Sequence, residues 1–192
     1  MSKNKLSPEI QSILSASDAS LHATTISLVN HFLLEHPESP RGWLDLGRAL
    51  AQVFRYEEAE RAFKKVIEMS EDNSAAAIYG EIGNLYRTQG KFDTAILWYE
   101  KQIAVDSEDA LGLLYLGNIL MRQGNFTAAE TAFQKALQCK AACLDEVHYS
   151  LGLVNRCLEN YTAAATHFKQ AIELNDRHSE AKVALKDVKK LS

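Results

Sequence analysis

Three cysteines and one histidine in the second half of the sequence are the side chains best suited to hold a metal ion. Cys139, Cys143, His148 and Cys157 lie in one short stretch, and thiolate and imidazole are the usual ligands of zinc. Their spacing contains no tight CxxC pair, however, and free cysteine commonly serves as a small core residue. We therefore predict no metal site and no cofactor.

Motifs that carry catalysis are also absent from the sequence. It contains no glycine-rich phosphate loop, no HExxH pair and no nucleophile elbow. His31 and His36 lie near the end of a predicted helix, where histidine favours the negative pole of the helix dipole. The sequence therefore predicts that the chain is not an enzyme, and any chemistry it performs is recognition.

The elements that would position recognising side chains repeat along the chain. Glycines at 47, 83, 117 and 152 are separated by 36, 34 and 35 residues, and each follows a large apolar residue. Downstream of each glycine come an aromatic residue, an alanine and a second aromatic residue. Repetition near 34 residues, with two short amphipathic helices in each unit, is the signature of a helical solenoid.

Packing explains why glycine and alanine recur. Glycine inside a helix costs on the order of 1 kcal/mol relative to alanine, so its recurrence indicates that two backbones approach closely there. The spaced alanines of the second helix leave room in the same way. Tyr99 and the phenylalanines at 63, 133 and 168 are predicted to fill the space between neighbouring repeats.

These residues resemble the tetratricopeptide repeat family. The family pattern places a large residue, Leu-Gly and a tyrosine-like position on helix A, followed by spaced Ala, Phe and Ala on helix B. The matching positions are Trp43, Leu46, Gly47, Leu50, Ala59 and Phe63 in repeat 1; Tyr79, Ile82, Gly83, Tyr86, Ala95 and Tyr99 in repeat 2; Leu113, Leu116, Gly117, Leu120, Ala129, Phe133 and Ala136 in repeat 3; and His148, Leu151, Gly152, Ala164, Phe168 and Ala171 in repeat 4.

Some positions depart from the family pattern. The proline that usually closes a repeat is missing, with Glu71, Ser107, Ala141 and Asp176 in its place. Asn155 replaces a large apolar residue in repeat 4, and Gln102 replaces a small residue in repeat 2. In two of the four turns between paired helices, Phe54 and Glu159 stand where the other two have glycine. These departures are expected to weaken single repeats.

The resemblance implies an all-α fold, a right-handed α-α superhelix of about four and a half helical hairpins plus a C-terminal capping helix. Residues 1–39 are predicted to be a degenerate N-terminal repeat, with helices near 7–17 and 21–35. Residues 40–178 are predicted to form four repeats, and residues 179–192 the capping helix. The predicted repeats are 40–73, 76–109, 110–143 and 145–178.

In this family the A helices line a concave groove, so the resemblance also implies a binding surface. Five arginines and three acids fall at its groove-facing positions, although the whole chain has a net charge of −4. Arginine can clamp a carboxylate through two parallel hydrogen bonds, and amides can pair with an extended backbone. The candidate partner-binding residues are Arg48, Asn84, Arg87, Tyr115, Asn118, Arg122, Tyr149 and Arg156.

The predicted partner is another protein or peptide with some acidic character, held by a scaffold, adaptor or chaperone-like module that is a monomer or a homodimer. Two alternatives remain: a structural subunit that associates with itself or builds into a larger assembly, and a regulatory domain of an enzyme encoded elsewhere. The dicarboxylate clamp of some family members is not expected. Its positions are occupied by Leu44, Arg48, Glu81, Leu111 and Tyr115.

Composition excludes several other classes. With 21 basic and 25 acidic side chains, a general nucleic-acid binder is not expected, since such proteins are usually basic. The sequence shows no membrane-spanning run and no apolar secretory signal. Three cysteines, an odd number on a long chain, do not indicate a disulfide framework. We therefore expect a reduced, cytoplasmic protein that does not contact a membrane.

Overall fold

The computed structural model describes residues 8, 12, 22–70, 75–139 and 143–191 of the chain. Every regular element in these ranges is an α-helix, in agreement with the predicted all-α class. The ten helices are α1 (His22–Glu35), α2 (Pro40–Gln52), α3 (Tyr56–Met69), α4 (Ala76–Thr88), α5 (Phe92–Val105), α6 (Ala110–Arg122), α7 (Phe126–Gln138), α8 (Leu144–Cys157), α9 (Tyr161–Leu174) and α10 (Ser179–Val188).

The chain forms two compact units, Met1–Ala95 and Ile96–Ser192, and their boundary falls within α5. In the first unit each helix from α1 to α4 packs against the next one along the chain. In the second unit the same holds from α6 to α10, and α6 also touches α8. Each unit therefore consists of consecutive helical hairpins, as the repeat predicts.

Three of the four repeated glycines lie under aromatic rings. A Cβ atom added to Gly47 would lie 2.5 Å from Cε1 of Phe63, and equivalent atoms on Gly117 and Gly152 would collide with Phe133 and Phe168. The three phenylalanines are buried. Each ring thus rests against the glycine of its own hairpin, and this contact requires a residue without a side chain.

The turns inside the hairpins share one backbone conformation. Gly90 and Gly124 have φ values of 73° and 80°, and Phe54 and Glu159 adopt φ values of 62° and 60° at the same place. Each turn is closed by the same two backbone hydrogen bonds, such as Phe54 N to Ala51 O and Arg55 N to Leu50 O in the first. These bonds satisfy carbonyl groups at the helix end, so the turn persists where glycine is absent.

At both polar substitutions of the repeat pattern, the side-chain amide nitrogen finds a hydrogen-bond acceptor. Asn155 is buried, and its Nδ2 donates to the backbone oxygen of Leu151 at 3.0 Å. Gln102 is also buried, and its Nε2 donates to Asp109 Oδ2 at 2.6 Å. A backbone carbonyl group therefore serves Asn155, and the N-cap residue of the next helix serves Gln102.

The predicted first helix, near 7–17, lies outside the described residues except for Pro8 and Ser12. The second helix of that pair is α1, which buries Thr25, Ile26, Val29 and Leu33.

Within the part of the chain that the structure describes, no helix is long and apolar enough to cross a lipid bilayer.

Candidate functional site

Three of the candidate binding residues lie in the first unit, Arg48 on α2 and Asn84 and Arg87 on α4. The Nε and Nη2 atoms of Arg48 both donate to Oε1 of Glu81, at 2.7 and 2.5 Å. Arg87 donates from the same two atoms to Oδ1 of Asn84, at 3.3 and 3.2 Å. The structure thus brings these residues together in pairs, one linking α2 to α4 and the other within α4.

These pairs reduce the positive charge that the sequence count assigned to this surface. Glu81 neutralises Arg48, and Asp45 lies 2.8 Å from Nε of Arg41 on the same helix. The count of five arginines against three acids treated every charge as separate. Which side chains meet depends on the offset between repeats and on rotamers, so counting alone does not reveal the pairing.

In the second unit, Tyr115, Asn118 and Arg122 lie on α6. The ring of Tyr115 packs against Tyr99, with centroids 5.6 Å apart. Oδ1 of Asn118 accepts a hydrogen bond from the Ser150 hydroxyl at 3.2 Å, which links α6 to α8. Arg122 is exposed in the last turn of α6.

Tyr149 and Arg156, both half-buried on α8, line one cleft. The cleft has a volume of about 310 Å³ and separates α8 from α10. Its remaining walls are Leu153 on α8 and Ser179, Glu180, Val183, Ala184 and Asp187 on α10. The structure therefore places two of the eight candidate residues at a concave feature of suitable size for a side chain.

The position of Tyr149 in this cleft is fixed by ring contacts. Its ring centroid lies 4.7 Å from that of His178 and 5.9 Å from that of Phe168. Burial raises the pKa of the Tyr149 hydroxyl, and the charge of Glu180 raises it further. The hydroxyl therefore stays protonated and can donate a hydrogen bond at neutral pH.

The wall contributed by α10 was not foreseen from the sequence, which predicted this helix only as a cap of the repeats. Ala181, Ala184 and Val188 are buried, but Val183 is 62% exposed and faces the cleft. The signal available in the sequence was Val183 itself, an apolar residue that does not fall on the buried face of α10. A single exposed apolar residue is common on protein surfaces, so this signal is weak.

The candidate metal ligands do not converge. Cys139 is buried, Cys143 is half-buried and Cys157 is exposed, and burial raises the pKa of both Cys139 and Cys143. His148 contacts His167, with the two Nδ1 atoms 3.1 Å apart. Among the described residues, no group of three or more histidine, cysteine or acidic side chains is arranged to hold a metal ion.

The sequence is similar to proteins of known families. The model of the tetratricopeptide repeat family matches residues 38–108 and 108–177. The chain is 30% identical over 89 residues to Cell division cycle protein 27 homolog A of Arabidopsis thaliana, covering 46% of this chain. It is 24% identical over 155 residues to the type IV pilus assembly protein PilF of Pseudomonas aeruginosa, covering 79% of this chain. The matches span 12% and 60% of the lengths of these two relatives.

The helical arrangement also has counterparts among solved structures. One is YrrB, described as a tetratricopeptide repeat protein with an unusual peptide-binding site. It superposes with a TM-score of 0.66 at 16% identity, over 95% of this chain and 92% of that one. This likeness shows the fold alone. The family match runs from residue 38 to residue 177. Together, the match and the superposition show that this chain belongs to the tetratricopeptide repeat family and has its all-α solenoid fold.

Proposed function

We propose that this protein is an interaction module that binds a segment of a partner polypeptide in the concave groove lined by its A helices. The observation that carries the proposal is the cleft between α8 and α10, which Tyr149, Leu153, Arg156 and Val183 line. Tyrosine and arginine are enriched among the residues that dominate binding energy at protein interfaces. The cleft therefore combines a suitable shape with suitable side chains.

Polar groups on other A helices support binding of a main chain. Oδ1 of Asn118 accepts from Ser150, and among the described residues its amide nitrogen donates to no other group. An amide donor of this kind can hydrogen-bond a carbonyl group of an extended peptide. In the first unit, the Asn84–Arg87 pair on α4 presents a cation and an amide side by side. The proposal therefore keeps the candidate residues of each unit.

The acidic character of the partner remains part of the proposal, in a narrower form. Arg41 and Arg48 each pair with an acid of their own surface, so they contribute less to attracting a carboxylate. Arg156 on α8 forms no ion pair with an acid among the described residues, and Arg122 is exposed in the last turn of α6. We expect the acidic contacts of the partner to fall on these two arginines.

The remaining features of the proposal follow from the sequence. We propose a cytoplasmic binding protein without catalytic activity or cofactor, which binds neither nucleic acid nor membrane. The net charge of −4 disfavours general binding to nucleic acid phosphates. We also propose the division into an N-terminal capping segment (1–39), four repeats (40–178) and a C-terminal capping helix (179–192).

The proposal is tested by affinity capture from native lysate with three forms of the chain. The Arg87→Ala/Arg122→Ala variant removes two cations from the proposed surface. The matched control, Lys135→Ala/Lys169→Ala, removes two exposed cations from α7 and α9. We expect the arginine variant to lose the partner at an unchanged unfolding temperature, while the lysine variant retains it. Equal capture by all three forms would refute binding at this surface.

A second candidate function is self-association or assembly into a larger structure. Phe54 favours it, because this large ring is 72% exposed and occupies a left-handed turn conformation that glycine adopts more readily. Aromatic residues are enriched at protein–protein interfaces. If Phe54 serves this purpose, the purified chain is an oligomer and Phe54→Asn converts it to a monomer. A monomeric wild-type chain at all accessible concentrations would exclude self-association.

A further inference from the structure

The geometry of the cleft between α8 and α10 points to a specific ligand chemistry. We infer that it recognises one carboxylate side chain with a large apolar side chain next to it, within an internal segment of the partner. This inference rests on the proposed function, since it names what the groove binds at its C-terminal end. The argument depends on which polar groups of the cleft already have partners.

The two acids of the cleft are engaged. Glu180 accepts a hydrogen bond from the Ser179 hydroxyl at 2.9 Å, and its carboxylate lies 3.3 Å from Nδ1 of His178. Oδ1 of Asp187 lies 3.0 Å from Nζ of Lys190. The Ser179 hydroxyl on α10 and the Lys190 ammonium just past its C-terminal end therefore serve these two carboxylates, and neither carboxylate pairs with Arg156.

The two donors that α8 contributes to the cleft, Tyr149 and Arg156, have no partner among the residues that the structure describes. Among the described residues, the Arg156 guanidinium makes no ion pair or side-chain hydrogen bond, and the Tyr149 hydroxyl makes no hydrogen bond. Both groups are half-buried in the same cleft. A half-buried guanidinium can bind a carboxylate through two parallel hydrogen bonds, and the Tyr149 hydroxyl can donate a further one.

The apolar walls supply the second half of the recognition. Leu153 on α8 faces the cleft together with Val183 and Ala184 on α10, and Val183 is 62% exposed. A leucine-sized side chain between these walls would bury their apolar surface and displace water from it. The cleft volume of about 310 Å³ lies at the small end of ligand pockets, so it suits one or two side chains.

The charge balance of the cleft limits the ligand to one acid. With one cation and two acids among its lining residues, a second ligand carboxylate would meet repulsion from Glu180 and Asp187. The preferred ligand therefore has a single acid beside apolar residues, and runs of acids should bind less well.

The test uses the full chain and a short blocked peptide, acetyl-Ser-Gly-Ser-Leu-Asp-Leu-Ser-Gly-Ser-amide. Its blocked ends leave the aspartate as the only charge, and its symmetric centre assumes no chain direction. Binding is followed by the amide chemical shifts of the isotope-labelled protein at peptide concentrations up to millimolar. We expect concerted shifts in residues 149–156 and 179–187, and weaker binding by roughly tenfold when asparagine replaces the aspartate.

Variants assign the contacts within the cleft. Arg156→Gln should lose the preference for aspartate over asparagine, and Val183→Ser should lose the preference for leucine over glycine at the flanking positions. The control is Arg177→Gln, which removes an exposed arginine next to the N-terminus of α10 that does not line the cleft. It should bind as the wild type does. A fourth peptide with three consecutive aspartates should bind less well than the peptide with one.

Three results would overturn the inference: no shifts in the cleft, equal binding of the aspartate and asparagine peptides, or an undiminished preference in Arg156→Gln. The proposed function is judged separately by lysate capture. If the arginine pair variant loses a natural partner while the peptide fails, the interaction module stands and this ligand assignment is wrong. If capture and peptide binding both fail, both proposals are wrong.

Discussion

Gln102 and Gly112 are complementary in volume. A Cβ atom added to Gly112 would lie 3.1 Å from Cδ of Gln102. The equivalent positions one repeat later are Ala136 and Val147, which belong to one buried cluster. A large residue on helix B thus faces glycine on the next helix A, and a small residue faces valine. The Gln102 amide also donates to Asp109, whose other carboxylate oxygen caps α6 by accepting from the Leu111 and Gly112 amides.

This complementarity predicts strong coupling between the two positions. Gly112→Val alone should destabilise the chain by roughly 1–3 kcal/mol, because it overpacks the contact. Gln102→Ala alone should cost about 1–2 kcal/mol through the lost hydrogen bond and the space left behind. The double variant recreates the Ala136–Val147 pair and should be more stable than Gly112→Val. Urea unfolding of the wild type, the two single variants and the double variant gives the coupling energy. If the destabilisation of the double variant equals the sum of the two single effects, the account is contradicted.

The ring-on-glycine contacts predict a steric penalty for any side chain at the repeated glycines. A Cβ on Gly117 would collide with Phe133, so Gly117→Ala should destabilise the chain by roughly 1–3 kcal/mol despite the higher helix propensity of alanine. Adding Phe133→Leu to Gly117→Ala should recover part of this loss. Thermal and urea unfolding measure both effects. Stabilisation by Gly117→Ala would show that the ring does not rest on this glycine.

The turn residues with positive φ predict stabilisation by glycine. Glu159 adopts φ 60°, and for a residue with a side chain the left-handed conformation costs roughly 1–2 kcal/mol. Glu159→Gly should therefore stabilise the chain, by up to about 1 kcal/mol after the entropy gained by the unfolded chain is subtracted. Gly124→Ala, at φ 80° with open space around its Cβ position, is the converse control and should destabilise. Destabilisation by Glu159→Gly, or stabilisation by Gly124→Ala, in urea unfolding would contradict the conformational argument.

The His148–His167 pair predicts that stability falls in mildly acidic solution. Burial lowers the pKa of both imidazoles, and the neighbouring histidine lowers that of His148 further. At neutral pH one Nδ1–H group can donate to the other Nδ1 atom across 3.1 Å, whereas two protonated rings would repel each other. The unfolded chain has the ordinary histidine pKa of about 6.5, so it binds more protons than the folded chain as the pH falls.

The stabilisation is therefore complete above a pH of about 6.5 and is lost as the pH falls through that value toward the lower pKa values of the folded state. The matched control is His148→Leu/His167→Ala, which copies the equivalent pair of repeat 3, Leu113 and Ala132. Unfolding measured across this range should show a smaller loss of stability in the control. A loss of equal size in both forms would assign the pH dependence to other groups.

The sequence predicted those features that depend on residue size at fixed spacing. Gly47 and Phe63 meet because a repeated glycine on one helix and a repeated ring on the next have few other ways to pack. The same regularity located the hairpins and the A-helix surface. The predicted candidates Tyr149 and Arg156 lie in one cleft for this reason.

Features that depend on a single rotamer or a single odd residue were not predictable in this way. The Arg48–Glu81 pair joins residues 33 positions apart, and nothing in the composition shows that Arg48 meets this acid. His148 occupies the large-residue position of repeat 4, but its contact with His167 requires an unusual residue at two places. Val183 lines the cleft although it is not one of the buried residues of α10, so the burial pattern of this helix did not predict its role.

Site-specific photo-crosslinking tests the central claim, that partners bind the A-helix face, most directly. The photoreactive residue p-benzoylphenylalanine is introduced at Arg122 or Arg156 on this face, and at Lys135 or Lys169 on helices α7 and α9 as controls. The account predicts that a partner from native lysate is crosslinked from positions 122 and 156 and not from the two lysine positions. Crosslinks formed only from positions 135 and 169 would contradict it.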